Sequence, residues 1–211
     1  MYRVYGDRRS GNCYKIELLM HYLELDYQWV DIDILAGETQ TADFETLNLN
    51  RKIPVLDLPG GQHLAESNAI LNYLADGTKY LPVGRLQRAY VLQWQFFEQY
   101  SHEPYIAVAR FIARYLGMPE SRRAEYDSKQ AGGHKALAVM DKHLEGRSWF
   151  VNDTPTIADI SLYAYTHVAH EGGFDLGGYP AILEWIERME EHPRHVPMAD
   201  TPGLERRRAG A

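Results

Sequence analysis

The chain has 211 residues, 45% of them hydrophobic and 24% charged, with 22 Lys and Arg against 29 Asp and Glu for a formal net charge of −7. That length supports one large domain or two small ones with real cores, and the acidic balance argues against a general nucleic-acid binder. The single cysteine, Cys13, excludes an internal disulfide and an all-cysteine metal site, and no apolar run approaches the ~18 residues that span a membrane.

Met1 to Gly6 has the character of a short strand and not of a secretory leader, so a cytoplasmic protein is expected. Ile16, Leu19, Met20 and Leu23 then fall at helical spacing, behind the capping side chains of Ser10-Gly11-Asn12. The alternation Val30-Asp31-Ile32-Asp33-Ile34 predicts a second strand, and Gly37 ends it. Thr41 to Leu47 suits a short helix. Ile53 to Leu58 predicts a third strand, with Pro54 at its entrance. Pro59-Gly60-Gly61 turns the chain, and Gln62-His63-Leu64 returns as a fourth strand. From Glu66, the residues Ile70, Tyr73 and Leu74 mark a helix that stops near Asp76-Gly77. The order β-α-β-α-β-β-α over residues 1–76 predicts an α/β sheet domain.

Residues 77–84 carry breakers without a period and read as a linker. Residues 85–211 show no convincing strand and predict an all-helical domain. Leu86, Tyr90, Trp94 and Phe97 share one helical face, and His102-Glu103-Pro104 predicts a kink, because an interior proline removes a backbone bond. Another helix is expected from Pro119 to Leu144, with Gly132-Gly133 as a weak point. In Thr156-Ile157-Ala158-Asp159 the first and last residues form a capping box ahead of the narrow stripe Ile157, Ile160, Ser161 and Ala164. Ile182, Ile186 and Met189 mark a final helix, and the Arg206-Arg207-Arg208 tail reads as solvated.

Several signals bear on chemistry. A cis bond at Pro54 opens the main chain of Ile53 at a surface, and Ser67 at a helix start favours a carboxylate. The plainer alternative is a trans proline opening a strand, followed by an ordinary cap. An acidic ligand needs a local basic pocket, for which Arg8, Arg9, Lys15, Arg51 and Lys52 are candidates, although the ordinary place of each is solvated surface. His170-Glu171 lacks a second histidine at metalloprotease spacing. His192-Pro193-Arg194-His195 lacks carboxylate or cysteine partners and reads as a surface turn, so no metal is expected.

Four stretches carry a resemblance: Tyr5 to Asn12 after the first strand, Asn48 to Leu56, Glu66 to Ile70, and Thr156 to Asp159. In this order and spacing the chain resembles the cytosolic glutathione transferases, and the serine-using bacterial members more than the tyrosine-using ones. The resemblance implies a thioredoxin-like N-terminal domain, glutathione as co-substrate and a homodimer. It also implies that cis Pro54 presents the main chain of Ile53 to the cysteinyl part of glutathione. Glu66 and Ser67 would hold the γ-glutamyl end, and Lys52 the glycine end, with Gln40 as a neighbour. Where the family often shows Asn-Pro-x-Gly before the lysine, this chain has Leu49 and Arg51, which leaves the turn open to differ.

By the same resemblance Ser10 is the donor to the glutathione sulfur and Asn12 a second polar contact. On residue type alone, Ser10 is an ordinary helix cap. Cys13 is the rival, since a cysteine near a helix N-terminus can form a mixed disulfide. Tyr5 is a third candidate. His102, Tyr105 and Ile106 are candidates to line a pocket for a small hydrophobic electrophile, against a core or surface role for each. Transfer of the glutathione sulfur to that electrophile is the expected reaction. A glutathione-dependent peroxidase or disulfide-bond reductase is the alternative chemistry, and a non-catalytic ligand-binding or assembly module is the alternative class.

Overall fold

The computed structural model describes residues 1–199, and the Arg206-Arg207-Arg208 segment lies outside them. The chain divides into two compact units, Met1–Leu74 together with the described residues from Arg194 on, and Ala75–Pro193.

The first unit is a thioredoxin-like α/β domain built on a four-stranded sheet of order β2-β1-β3-β4. Its strands are β1 (Tyr2–Gly6), β2 (Tyr27–Asp31), β3 (Val55–Asp57) and β4 (His63–Ala65). β1 runs parallel to β2, with Val4 opposite Trp29, and antiparallel to β3, with Val4 opposite Leu56. β3 and β4 form an antiparallel hairpin with Val55 opposite Ala65. The helices are α1 (Gly11–Leu23), α2 (Ala42–Leu47) and α3 (Ser67–Ala75).

The second strand sits three residues earlier than its alternation suggests. Pairing with β1 runs from Tyr27 to Asp31, and beyond it Asp33 Oδ1 accepts the backbone N–H groups of Leu35 and Ala36 at 2.9 and 3.0 Å. That side chain turns the backbone, so the apolar alternation continues into a loop. β3 begins at Val55 because Pro54 has no N–H to give to a ladder.

α1 is buried almost all round, not on one stripe. Ile16, Leu19 and Met20 have no exposed area, and neither do Tyr14, Lys15 and Leu18 on its other faces. The described residues from Arg194 on supply the extra cover. Tyr14 donates its hydroxyl to the Val196 carbonyl at 2.6 Å, Arg194 donates to the Tyr22 carbonyl at 3.2 Å, and Met198 is buried. The histidine-rich turn keeps Pro193 and Arg194 exposed, as a surface turn does, while its Arg194 side chain is bonded down.

The second unit is helical: α4 (Arg85–Phe97), α5 (Glu103–Arg110), α6 (Arg123–Leu144), α7 (Ile157–Thr166) and α8 (Pro180–Glu190). The expected kink at Pro104 is a wide turn, Glu98–His102, in which the Glu103 N–H reaches back to the Glu98 carbonyl. A five-residue reach gives the proline ring room where a four-residue turn would drive it into a carbonyl. A second wide turn covers Phe111–Tyr115. α6 runs unbroken through Gly132-Gly133. A Cβ at Gly132 would lie 2.2 Å from the Tyr105 ring, and one at Gly133 would lie 2.2 Å from the Phe174 ring. Two rings rest on the helix backbone, which is why small residues stand there.

The capping box of α7 is formed. Asp159 Oδ2 accepts the Thr156 N–H at 2.8 Å, while Oδ1 accepts Phe150 N–H at 3.0 Å and Trp185 Nε1 at 3.1 Å. Burial raises the Asp159 pKa, and these bonds oppose the rise. Its role is architectural: it ties α7, the Phe150 loop and α8 together. Tyr80 and Leu81, in the stretch read as a linker, are buried in this unit, and the Tyr80 carbonyl accepts the Ile157 N–H at 2.9 Å. No described helix is long and apolar enough to cross a membrane.

Candidate functional site

The first unit brings together two helix N-termini and the proline-led strand. The Ile53–Pro54 bond is cis. Pro54 is buried, Ile53 half-buried and Lys52 exposed. The β3–β4 pairing ends at Val55 opposite Ala65, and Ile53 and Ser67 each lie two residues beyond that pair. Ser67 opens α3 and is 5% exposed, whereas Glu66 before it is exposed and holds a left-handed φ of 66°.

The first turns of α3 and α1 are bonded together. Ser67 Oγ donates to Asn12 Oδ1 at 3.1 Å, and Lys15 Nζ donates to the same oxygen at 2.8 Å and to Ser67 Oγ at 3.4 Å. Backbone N–H groups at two helix starts, with a lysine between them, form a surface suited to an anion.

Ser10 occupies the N-cap of α1 with extended backbone angles, but its side chain makes no capping bond. It is half-buried, and its hydroxyl lies in hydrogen-bonding contact with the Cys13 thiol. Cys13 itself has no exposed area, and it packs under Gly6, where an added Cβ would meet Sγ at 2.7 Å. Burial pushes its thiol up to about 12 against the lowering effect of Ser10 and the Asp7 backbone. A thiol so placed is neutral and closed to attack at physiological pH. Tyr5 is a half-buried β1 residue paired opposite Val55.

The five basic candidates separate sharply. Arg8 is bonded to Glu17 at 2.6 Å and lies over the Trp29 ring, Arg9 makes two bonds to Asp7, and Arg51 reaches Glu45 at 2.6 Å. The three arginines are therefore neutralised by the chain's own carboxylates. Lys15 departs furthest from the solvated-surface expectation, being wholly buried. Its position amid the apolar α1 run, between Tyr14 and Ile16, was the available signal in the sequence.

Asn48 organises the turn before Lys52. Its carbonyl accepts the Arg51 N–H at 2.8 Å and its side-chain amide donates to the Lys52 carbonyl at 2.8 Å. Arg51 holds φ at 52°, so the chain keeps a left-handed residue at the point where glycine would adopt one freely. Gln40 is exposed at the end of a short turn ahead of α2, with its amide donating to Thr39 Oγ1 at 3.0 Å.

The three helical-half candidates lie in the second unit with different exposures. His102 and Ile106 have no exposed area, while Tyr105 is partly exposed and rests on Gly132. Thr166 donates its one hydroxyl proton to the Leu162 carbonyl at 2.7 Å, so it accepts from His102 Nε2 at 2.9 Å. His102 thereby fastens the wide turn to α7. Among the described residues no cluster of three or more His, Cys, Asp or Glu side chains is placed to hold a metal.

Residues 1–76 match the family model of the glutathione S-transferase N-terminal domain, and residues 96–193 match that of its C-terminal domain. A solved glutathione S-transferase from Pseudomonas fluorescens is 60% identical, with a TM-score of 0.92 over 94% of this chain and 99% of that one. The disulfide-bond oxidoreductase YfcG of Escherichia coli is 29% identical over 87% of this chain and 88% of its own length. A glutathione transferase from Pseudomonas putida, solved with one glutathione disulfide bound per subunit, is 26% identical with a TM-score of 0.79, over 92% of this chain and 88% of that one.

Proposed function

The chain belongs to the glutathione S-transferase family, and from that premise we propose that it converts the glutathione thiol to a thiolate and transfers the sulfur to a small hydrophobic electrophile. Ser10 is the hydroxyl donor to the sulfur. The observation that carries this role is the N-cap position of a half-buried hydroxyl that makes no capping bond. Cys13 is closed off beneath Gly6 and does not compete for it.

A free thiol with a pKa of about 8.5 is only a few per cent ionised at neutral pH. Lowering that pKa by about two units takes about 2.7 kcal/mol and makes thiolate the majority form. A hydroxyl donor and the α1 N-terminus both act in that direction. The thiol proton leaves to solvent. A sulfur lone pair forms the new bond to carbon, and the electrophile's leaving group departs with its bonding pair.

Glutathione, the co-substrate, is held at three points. The main chain of Ile53 beside Pro54 pairs with the cysteinyl unit. Ser67 and the α3 N-terminus take the γ-glutamyl carboxylate, and Glu66 takes its amino group. Lys52 meets the glycine carboxylate, with Gln40 nearby, and Asn12 adds a polar contact near the sulfur. Of the three candidates for the electrophile pocket, partly exposed Tyr105 is the best supported. The exposed Leu86, Tyr90, Leu92 and Phe96 on α4 support a homodimer. We place the protein in the cytoplasm.

Disulfide-bond reduction is the second reading, favoured by the likeness to an enzyme named for disulfide oxidoreduction and to one that binds glutathione disulfide. The same grip would hold one glutathione while its sulfur attacks a disulfide, and a hydroperoxide would be a third acceptor. Rates on a chlorinated aromatic, a small disulfide and a hydroperoxide, measured side by side, separate these chemistries. Dominant turnover of the chloroaromatic is expected, and turnover confined to the disulfide would replace transfer by reduction. Absence of glutathione binding in calorimetry would leave only a non-catalytic module.

A further inference from the structure

Asp7 stands between β1 and α1, at the head of the turn that delivers Ser10. Its carbonyl accepts the Ser10 N–H at 2.9 Å, which closes a turn from Asp7 to Ser10. Its buried side chain braces the same turn from within. Oδ1 accepts the Arg9 backbone N–H at 2.9 Å and Arg9 Nε at 3.1 Å, while Oδ2 accepts Arg9 Nη2 at 3.0 Å. A carboxylate bonded to the N–H two residues on mimics a backbone turn and fixes it. The guanidinium of Arg9 supplies the charge that lets this carboxylate be buried. At the corner between them, Arg8 is tied to Glu17 on α1 at 2.6 Å and lies 4.5 Å over the Trp29 ring of β2.

These bonds leave the Ser10 backbone little freedom. Its N–H goes to the Asp7 carbonyl, and its own carbonyl accepts the Tyr14 N–H at 2.9 Å as the α1 ladder begins. With both backbone groups committed at φ −78° and ψ 125°, only the side-chain torsion remains to aim the hydroxyl. Charge does not explain an acid at this place. Asp7 pushes the Cys13 thiol up, so its charge works against an anion at the first turn of α1. What the carboxylate contributes there is geometry.

We propose that Asp7 is a positioning residue for Ser10: by holding the Arg9 N–H it fixes the turn, and so the place from which the Ser10 hydroxyl meets the glutathione sulfur. The proposal rests on the assignment of Ser10 above.

The test compares Asp7→Ala with Asp7→Asn. Both lose the same charge, and only Asp7→Asn keeps an acceptor for the Arg9 N–H. The pKa of the bound glutathione thiol is read by the ultraviolet thiolate band against pH, beside turnover of a chlorinated aromatic. We expect Asp7→Ala to titrate about one unit above Asp7→Asn and to turn over about tenfold more slowly. In a Ser10→Ala background the two should match, because Asp7 acts through Ser10. Equal thiol pKa values in Asp7→Ala and Asp7→Asn, or a difference that survives in the Ser10→Ala background, would overturn the proposal. Should Asp7→Ala fail to fold, Asp7→Ser keeps a shorter acceptor that forms the same turn more weakly. It should titrate above Asp7→Asn, and equality of those two would equally overturn the proposal. If Ser10→Ala leaves the thiolate titration where the unaltered protein has it, the Ser10 assignment falls and this proposal with it. If Ser10→Ala moves it and Asp7→Ala matches Asp7→Asn, only the role of Asp7 is lost.

Discussion

Ser67 gives its hydroxyl proton to the Asn12 carboxamide across 3.1 Å, and so joins the first turn of α3 to the first turn of α1. A ligand that bridges those turns meets groups already held in place, which lowers the ordering cost of binding. Ser67→Ala leaves Asn12 Oδ1 with one partner fewer. A lost hydrogen bond of this kind costs about 1 kcal/mol, and a charged partner raises that. Glutathione affinity in Ser67→Ala should fall by about tenfold. Calorimetric titration checks it, and equal affinity would mean that the two helix starts do not act together.

Cys13 should behave as a core atom. Its thiol, pushed up to about 12 by burial, is not a nucleophile near neutral pH. Iodoacetamide should leave the native chain unlabelled under conditions that label the unfolded chain. Cys13→Ala should retain glutathione turnover. The sign of the pH effect follows from the raised value. The folded state holds its proton longer than the unfolded state, whose thiol titrates near 9.0. Stability from this group is thus complete below pH 9.0 and is lost as pH rises toward about 12. Alkaline denaturation of Cys13→Ala should lack that component, which chemical melts at stepped pH will show.

The glycine pair in α6 should resist enlargement. Alanine raises helix propensity by about 1 kcal/mol over glycine. Against that, each new methyl would meet an aromatic ring at 2.2 Å, Tyr105 for Gly132 and Phe174 for Gly133. Overpacking of this kind costs typically about 1–3 kcal/mol. The clash should win, and both Gly132→Ala and Gly133→Ala should melt below the unaltered protein. A rise in melting temperature for either would show that the rings move aside freely.

Arg51 poses the opposite case. Its φ of 52° costs a non-glycine residue about 1–2 kcal/mol. Its ion pair with Glu45, at 2.6 Å between two partly exposed side chains, returns at most about 1 kcal/mol. Arg51→Gly should therefore be as stable as the unaltered protein or more so, while Arg51→Ala loses the pair and keeps the strain. Urea melts of the two variants check the order, and Arg51→Ala above Arg51→Gly would contradict it.

Local chemistry in the sequence indicated much of this architecture. Pro54, the Thr156–Asp159 box and the periodicities of α1, α4 and α8 depend on neighbours in the chain, and they fold as their residues dictate. Other features depend on distant partners. Nothing near α1 reveals that residues after Arg194 cover its outer side, so one apolar stripe understates its burial. Alternation cannot mark where β2 stops, because Asp33 ends it with a side-chain bond. Gly132-Gly133 look like a break until the rings of Tyr105 and Phe174 are placed on them. At the candidate site, Pro54 and Ser67 stood out by type and position, while Ser10 and Asn12 were marked only by the family resemblance. Lys15 was one of five basic candidates, and its burial was not legible because it depends on partners such as Ser67, 52 residues away in the chain.

In the proposed reaction the Ser10 hydroxyl stabilises the glutathione thiolate. Turnover of a chlorinated aromatic by Ser10→Ala, read together with the ultraviolet thiolate titration of its glutathione complex, tests this. Loss of one preorganised donor to a developing anion is worth on the order of tenfold or more. A drop of about that size, with the bound thiol titrating at higher pH, is the predicted result. Unchanged turnover and an unchanged thiolate titration would show that Ser10 does not act on the sulfur.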